Sequence, residues 1–382
     1  MKVAQVTTFF HPVTGGVETH VLNLSRELKE LGHDVTVLCS DSNKQFPRIK
    51  EKKTGFLGVD VIRFRTIFSI SFYHKFFPGI FFYLLRHKFD IIHVHGFRKS
   101  ESYFALIAGW LKRTPVILTT HNPFPTRTRS KKLNMFIKLH DLTIGKILSG
   151  KFTKIISLVP SEVDLLKKKF RVDPKKIKVI PNGIPEEFFK EGDGEKFLRE
   201  WDIDKSKWKA ILIGVGRINY AKGFQNLELA VKENKDILFF IAGGEDGYLT
   251  KLKYIFAKSE NIIFSEQFLP PAKVKDALAG ADLFVFPSLH EAFGIAAFEA
   301  MAQGLPVVST NVGGPAEVLK PEYAVLLDPS DQKAWRDTIE WLTDDPAYLQ
   351  KMSKAARKDA QNYAWEHIVK EIAKLYSEAR KK

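Results

Sequence analysis

Short apolar segments alternate with stretches of helical period along this chain, and they do so in two successive series. The first series is Val3–Thr7, Val35–Cys39, Ile91–His95, Val116–Thr120, Ile155–Leu158 and Lys178–Ile180. After Pro181-Asn182-Gly183 the rhythm restarts with Ala210–Gly214, Ile237–Ala242, Asn261–Phe264, Leu283–Phe286 and Pro306–Ser309. Strands spaced by helical patterns of about 10–15 residues argue for parallel sheets built from βαβ units. Two such series predict an α/β fold with two doubly wound domains. The length of 382 residues agrees, at roughly 150–200 residues per domain. Gly192-Asp193-Gly194 and a polar run interrupt the rhythm between 182 and 208, and the division taken here is 1–182 and 183–362.

Composition narrows the class. Hydrophobic residues at 45% and charged residues at 27% describe a globular chain. One cysteine, Cys39, excludes a disulfide framework and any multi-thiolate metal centre, as a reducing cytoplasm would have it. The longest apolar runs, such as Ile237–Ala242, fall far short of the ~20 residues of a spanning helix. Met1–Val6 reads as a first strand and not as a cleavable signal, so the expected location is cytoplasmic, with attachment to the inner face of a membrane left open. The net charge of +15 is uneven: residues 44–88 hold ten basic and two acidic residues, and 127–178 fifteen and four. Such a field attracts anionic lipid, phosphorylated substrates or nucleic acid, and charge alone does not choose among them. A lysine-rich surface of a heat-adapted protein would read the same way.

Open parallel sheets bind ligands beyond the carboxyl ends of their strands, and the chemical motifs fall there. Gly15 and Gly16 lie between the first strand and the first helix, where backbone N–H groups can meet an anion or simply make a tight turn. His121 closes the fourth strand ahead of Asn122-Pro123. His93 and His95 end another strand and are expected on opposite faces, which argues against a two-histidine metal site. In Gly214–Gly223, Arg217 and Lys222 sit on a glycine-rich turn that is not a Walker P-loop, and they suit a diphosphate better than a chance surface pair does. Glu291 and Glu299 bracket the start of a helix after Leu283–Phe286, where carboxylates can accept from sugar or ribose hydroxyls. Asp202-Ile203-Asp204 reads as a chance turn, not as a metal motif.

Taken in order, these elements resemble glycosyltransferase family 4 (glycosyl transferases group 1), retaining enzymes of the GT-B type, over nearly the whole chain. The likeness is carried by Gly15-Gly16 with Val17-Glu18-Thr19-His20, by Val179–Gly183, by Gly216-Arg217 with Lys222-Gly223, by Glu291 and Glu299, and by Gly304–Val308 leading to Gly313-Gly314 and Glu317. The resemblance implies two Rossmann-like domains facing a cleft, an acceptor-side first domain and a nucleotide-sugar-binding second one, with a C-terminal helix at about 363–382 packing back on the first. It assigns Arg217 and Lys222 to the donor diphosphate, Glu299 to the ribose and Glu291 to the donor sugar. Phe293, Gly294 and Ile295 would meet sugar or phosphate through their backbone, Gly16 would face the phosphates, and His121 would lie beside the reacting sugar. It further implies a nucleotide sugar as co-substrate, and neither a cofactor nor a metal. Phe264-Ser265-Glu266 departs from the family's frequent Phe-x-Gly, which leaves the nucleobase open.

On the acceptor side, Phe64, Phe68, Phe72 and Phe76 recur every fourth residue and run on into Phe77, Phe81, Phe82 and Tyr83, predicting an aromatic helical stripe. Basic residues flank it, as on a helix lying at a membrane surface or on one packed into the core. Arg127, Arg129, Lys131 and Lys132 form a second basic cluster. The expectation is transfer to a sugar, lipid-linked or phosphorylated acceptor, with an anionic membrane surface as partner. The alternatives are a nucleotide-sugar epimerase of similar fold and a nucleic-acid-binding protein, the latter disfavoured by the absence of any recognition signature.

Overall fold

The computed structural model describes residues 1–43, 48–71, 74–121, 123 and 131–381. The chain divides into two compact units, Met1–Gly183 together with Trp365–Lys382, and Ile184–Ala364.

The first unit is built on β1 (Lys2–Val6), β2 (Asp34–Ser40), β3 (Lys53–Phe56), β4 (Val59–Phe64), β5 (Phe68–Ser71), β6 (His74–Phe76), β7 (Ile91–His95), β8 (Val116–Thr119), β9 (Lys154–Ser157) and β10 (Ile177–Val179). Its main sheet has the order β10-β9-β8-β7-β1-β2-β4-β3, parallel except for β3 against β4. Val3 pairs with Val35 on one side of β1 and with Ile91 on the other. The strand order therefore reverses beside β1, and the connections leaving β1 and β7 diverge at their carboxyl ends.

Helix Trp365–Arg380 buries Ile368, Val369, Ile372, Leu375, Tyr376 and Ala379 at helical spacing against Leu24 and Leu28 of helix Gly16–Glu30 and against Val3, Val35 and Ile91 of the sheet. Each such aliphatic side chain contributes roughly 1.5–3 kcal/mol by leaving water. The last strand-free stretch of the sequence therefore completes a core begun by the first strand.

Residues 64–88 overturn the expected aromatic helix. Phe64 ends β4, while Phe68 and Phe76 face each other across the two-stranded β5–β6 hairpin with ring centroids 4.6 Å apart. Phe72 lies outside the described residues. A helix begins only at Gly79, after Pro78. Residues four apart share a face on a strand as well as on a helix, so the spacing from Phe64 to Phe76 fits the strands, and Pro78, which lacks an N–H and biases Phe77 away from helical geometry, separates them from the helix that follows. Phe77 is fully buried and Phe82 is exposed, so the segment meets the core at some rings and solvent at others.

The second unit has six parallel strands, β11 (Ala210–Val215), β12 (Ile237–Ala242), β13 (Ile262–Phe264), β14 (Leu283–Phe286), β15 (Val307–Thr310) and β16 (Ala324–Leu327), in the order β13-β12-β11-β14-β15-β16. That is the doubly wound order, with its switch point between β11 and β14. The chain from Gln332 onward forms three α-helices. Asp345 caps the second by accepting from Tyr348 N–H, and Pro346 occupies its first turn, so Gln332–Asp344 and Pro346–Ala360 stay with this unit while Trp365–Arg380 belongs to the first. Asp204 accepts from the backbone and hydroxyl of Ser206, so the Asp-x-Asp sequence is part of a turn.

Candidate active site

In the second unit the chemistry gathers on the two sides of the switch point. Gly216 follows β11, and Arg217 next to it donates from Nη1 to Asp246 Oδ2 at 3.0 Å. Asn219 Nδ2 donates to the same oxygen at 2.9 Å, so the guanidinium is held by a carboxylate that is itself oriented. Lys222 Nζ donates to Glu291 Oε2 at 2.7 Å, with both side chains about a fifth exposed, and lies 5.1 Å from the Phe286 ring centroid. Leu289 N–H donates to Ala221 O, fastening the loop after β14 to the loop after β11. Two cations thus stand at the carboxyl edge, each restrained by an acid. A diphosphate could replace either acid as partner.

The loop after β14 turns sharply into helix Ile295–Ala302. Gly294 caps that helix at φ +87°, and a Cβ there would come within 3.0 Å of the Phe286 ring. Gly314 is required for a different reason: a Cβ on it would sit 2.0 Å from the Ala292 carbonyl oxygen. Close approach of this strand-end loop presses Glu291–Gly294 into place. The first-turn N–H groups of the helix, including those at Gly294 and Ile295, have no intrahelical acceptor and carry the positive end of the dipole. Phe293 is buried against Phe298, so only its backbone is available to a ligand.

Glu299 lies on that helix, partly buried. Burial pushes its carboxyl up to about 7, and the nearby Glu187 charge adds to the effect. The hydroxyls of Ser288, Ser309 and Thr310 at the ends of β14 and β15 are buried without a partner among the described residues. Serine and threonine at strand ends are too common for sequence alone to have flagged them. Glu266 takes φ +59° where glycine is frequent, so the family departure is accommodated by strain of about 1–2 kcal/mol, with Lys253 bonded to the carboxylate at 2.6 Å.

In the first unit, three strand-end segments bring four histidines together. His20 stands one turn into helix Gly16–Glu30, His93 and His95 end β7, and His121 follows β8 at φ +45°. Gly15 and Gly16 open the helix, and a Cβ on Gly16 would meet nothing within 4 Å. The turn before His121 is tied down by Thr120, whose hydroxyl donates to the fully buried Glu162 at 2.5 Å. The expectation that His93 and His95 face opposite sides is wrong. Residues two apart on a strand share a face, and these rings lie 4.2 Å apart.

His95 Nδ1 is 3.1 Å from His121 Nε2, and His95 Nε2 is 2.7 Å from Gln5 Oε1. Burial drives His20 down to about 4 and holds His93, His95 and His121 well below the usual histidine range, with neighbouring imidazoles adding to the effect on the last three. All four are neutral near pH 7. His20, His95 and His121 each place one ring nitrogen within 4.8 Å of the others, the one group of three metal-ligand side chains among the described residues. As it stands, the His95–His121 hydrogen bond uses the lone pair that a cation would need, while neither His20 nitrogen meets a partner at full hydrogen-bond geometry among the described residues, the Asn182 side chain lying beside it.

Of the acceptor-side basic cluster, Arg127 and Arg129 lie outside the described residues, and of Lys131 and Lys132 only their place at the start of helix Lys131–Leu142 is described. Sequence reasoning passed over Gln5, Tyr376, Asp246 and Asn219. A lone polar residue inside the apolar run Val3–Val6 was a usable signal for Gln5; the others had none.

The family described as Glycosyltransferase Family 4 matches residues 14–188, and Glycosyl transferases group 1 matches residues 196–359. The chain is 24% identical to the D-inositol 3-phosphate glycosyltransferase of Corynebacterium diphtheriae, over 99% of this chain and 95% of that one. It is 26% identical to the phosphatidylinositol N-acetylglucosaminyltransferase GPI3 subunit of Saccharomyces cerevisiae, over 98% and 82%. The fold is shared with Anabaena HepE, solved in complex with UDP and glucose, at a TM-score of 0.79 and 18% identity over 99% of this chain and all of that one. With both halves matched in order and both folded as Rossmann-like units, the chain belongs to the group 1, family 4 glycosyltransferases of GT-B type.

Proposed function

We propose that this glycosyltransferase moves a sugar from a nucleoside diphosphate donor to a phosphorylated or lipid-linked acceptor, with retention of anomeric configuration and without a divalent metal. The observation that carries the reading is the pairing of Arg217 and Lys222 with the capped helix N-terminus at Gly294, all at one switch point. As the sugar–phosphate bond breaks, negative charge grows on the leaving diphosphate. Two fixed cations and a helix dipole meet that charge without reorganising, which is the work a metal does elsewhere. The acceptor hydroxyl forms the new bond on the face the diphosphate leaves, and its proton passes to the departing phosphate oxygen. Glu299, when ionised, accepts from the ribose hydroxyls. His121, neutral and held at the end of β8, hydrogen-bonds the transferred sugar. The HepE complex makes UDP sugars the first donors to try, and the names of the other two relatives point to inositol phosphate and phosphatidylinositol among acceptors.

No helix among the described residues is long and apolar enough to cross a membrane. Helices Lys131–Leu142 and Ile144–Ser149 nevertheless expose Met135, Leu139, Leu142, Ile144 and Ile147, beside Lys138 and Lys146. Apolar side chains with lysines in a segment of net positive charge fit an anionic bilayer surface. Leu139→Glu with Ile147→Glu should lower co-sedimentation with phosphatidylglycerol vesicles several-fold and leave turnover on a soluble acceptor unchanged. Undiminished sedimentation would remove this face as the contact.

The reaction itself is tested by incubating UDP-, GDP- and ADP-sugars with inositol phosphate in EDTA and reading the product's anomeric proton coupling. A product with the donor's anomeric configuration supports the proposal, and an inverted product refutes retention. An isomerised nucleotide sugar with no acceptor adduct would support the epimerase reading instead.

A further inference from the structure

Behind His121 runs a chain of buried polar groups that neither the donor site nor the acceptor reading uses. Gln5 on β1 is fully buried, as is Tyr376 on the C-terminal helix. Gln5 Nε2 donates to the Tyr376 hydroxyl at 3.1 Å, and Gln5 Oε1 lies 2.7 Å from His95 Nε2. Tyr376 Oη is 2.6 Å from His93 Nδ1, and His93 Nε2 is 2.7 Å from Thr119 Oγ1. The run therefore goes Thr119, His93, Tyr376, Gln5, His95, His121.

Proton placement along it is not free. A neutral imidazole has one donor and one acceptor, so each bond dictates the next. A carbonyl oxygen only accepts, which makes His95 Nε2 the donor and leaves Nδ1 as acceptor. His121 must then donate from Nε2, and its Nδ1 keeps a lone pair. Turning the Gln5 amide over would reverse every bond down to His121. The contacts at Tyr376 select the first arrangement: the phenol makes its short bond to the His93 nitrogen, as its own donor bond would be, and takes the longer one from the Gln5 amide.

We propose that Tyr376 and Gln5 are positioning residues, forming with His95 a one-way hydrogen-bond relay that fixes His121 in its Nε2–H tautomer with Nδ1 free to accept from a substrate hydroxyl. The C-terminal helix then does more than close the first unit's core, since it sets the proton order at a strand-end histidine. Only the kinetic consequence rests on the transferase reading; the proton order does not.

The test is a long-range proton–nitrogen correlation spectrum of the full-length protein labelled in its histidines, near pH 7.5, beside the Tyr376→Phe variant. The wild type should show His95 and His121 as Nε2–H tautomers. Losing the hydroxyl removes the acceptor for the Gln5 amide, so in the variant His121 should populate both tautomers. With a donor and acceptor that turn over, kcat should fall about tenfold while the donor KM stays within about twofold. An Nδ1–H tautomer at His95 or His121 in the wild type overturns the proposal, and that spectrum decides alone if the variant does not fold. Unchanged tautomers in a folded variant overturn it too, even if the rate falls, because such a loss reports packing only. A wild type with the expected tautomers and no transfer to any acceptor would leave the relay standing and count against the proposed reaction.

Discussion

Lys222→Ala should lower kcat/KM for the donor by about a thousandfold, near 4 kcal/mol of transition-state stabilisation. The lysine is asked to meet charge that develops only as the diphosphate leaves, so most of the loss should fall on kcat. Removing it also leaves the Glu291 carboxylate, its partner at 2.7 Å, as an unpaired acid facing an anionic ligand. Arg217→Ala should cost less, about ten- to a hundredfold, mainly in donor affinity, because Asp246 and Asn219 can relax toward solvent. The double variant should lose less than the sum of the two, since the cations act on one leaving group. Steady-state kinetics with one sugar nucleotide checks all three. A Lys222→Ala enzyme within threefold of wild type would refute the assignment.

Glu299→Gln should move stability and binding in opposite directions. The unfolded chain releases this proton near 4.5, while the folded chain holds it until about 7. Between those values the folded state binds more protons, so the group's contribution to stability falls as pH rises through the window and stays low above it. Glutamine has no such cost, and the variant should be more stable at pH 8 by up to about 3 kcal/mol, with no gain at pH 4. At pH 8 it should also bind nucleotide about tenfold more weakly, because an amide offers one accepting oxygen where a carboxylate offers two. Near pH 6, where Glu299 is itself protonated, the binding gap should close. Chemical denaturation at the three pH values, with nucleotide titrations at pH 8 and 6, checks both. Equal stability at pH 8, or an equal binding deficit at both titration pH values, would contradict the role given to this residue.

The sheets were legible because parallel strands buried on both faces write themselves as apolar runs, such as Ile237–Ala242. The donor loops were legible because glycine and charge concentrate where such strands end. What escaped was of two kinds. Local geometry escaped where a four-residue spacing suits a strand as well as a helix, as at Phe64, Phe68 and Phe76, and where His93 and His95, two apart on one strand, share a face. Long-range partnership had no local trace at all: Gln5 and Tyr376 are 371 residues apart and meet only because the last helix closes the first core. Likewise Asp246, the partner of Arg217, follows a different strand.

The central claim is that the second unit's own cations, and not a metal, hold the donor diphosphate. Calorimetric titration of UDP, GDP and ADP, in EDTA and again in Mg²⁺, tests it most directly. The account predicts one-to-one binding by one nucleotide with affinity unchanged by the ion and weakened in Arg217→Ala. Binding that needs Mg²⁺, or no binding by any of the three, would contradict it.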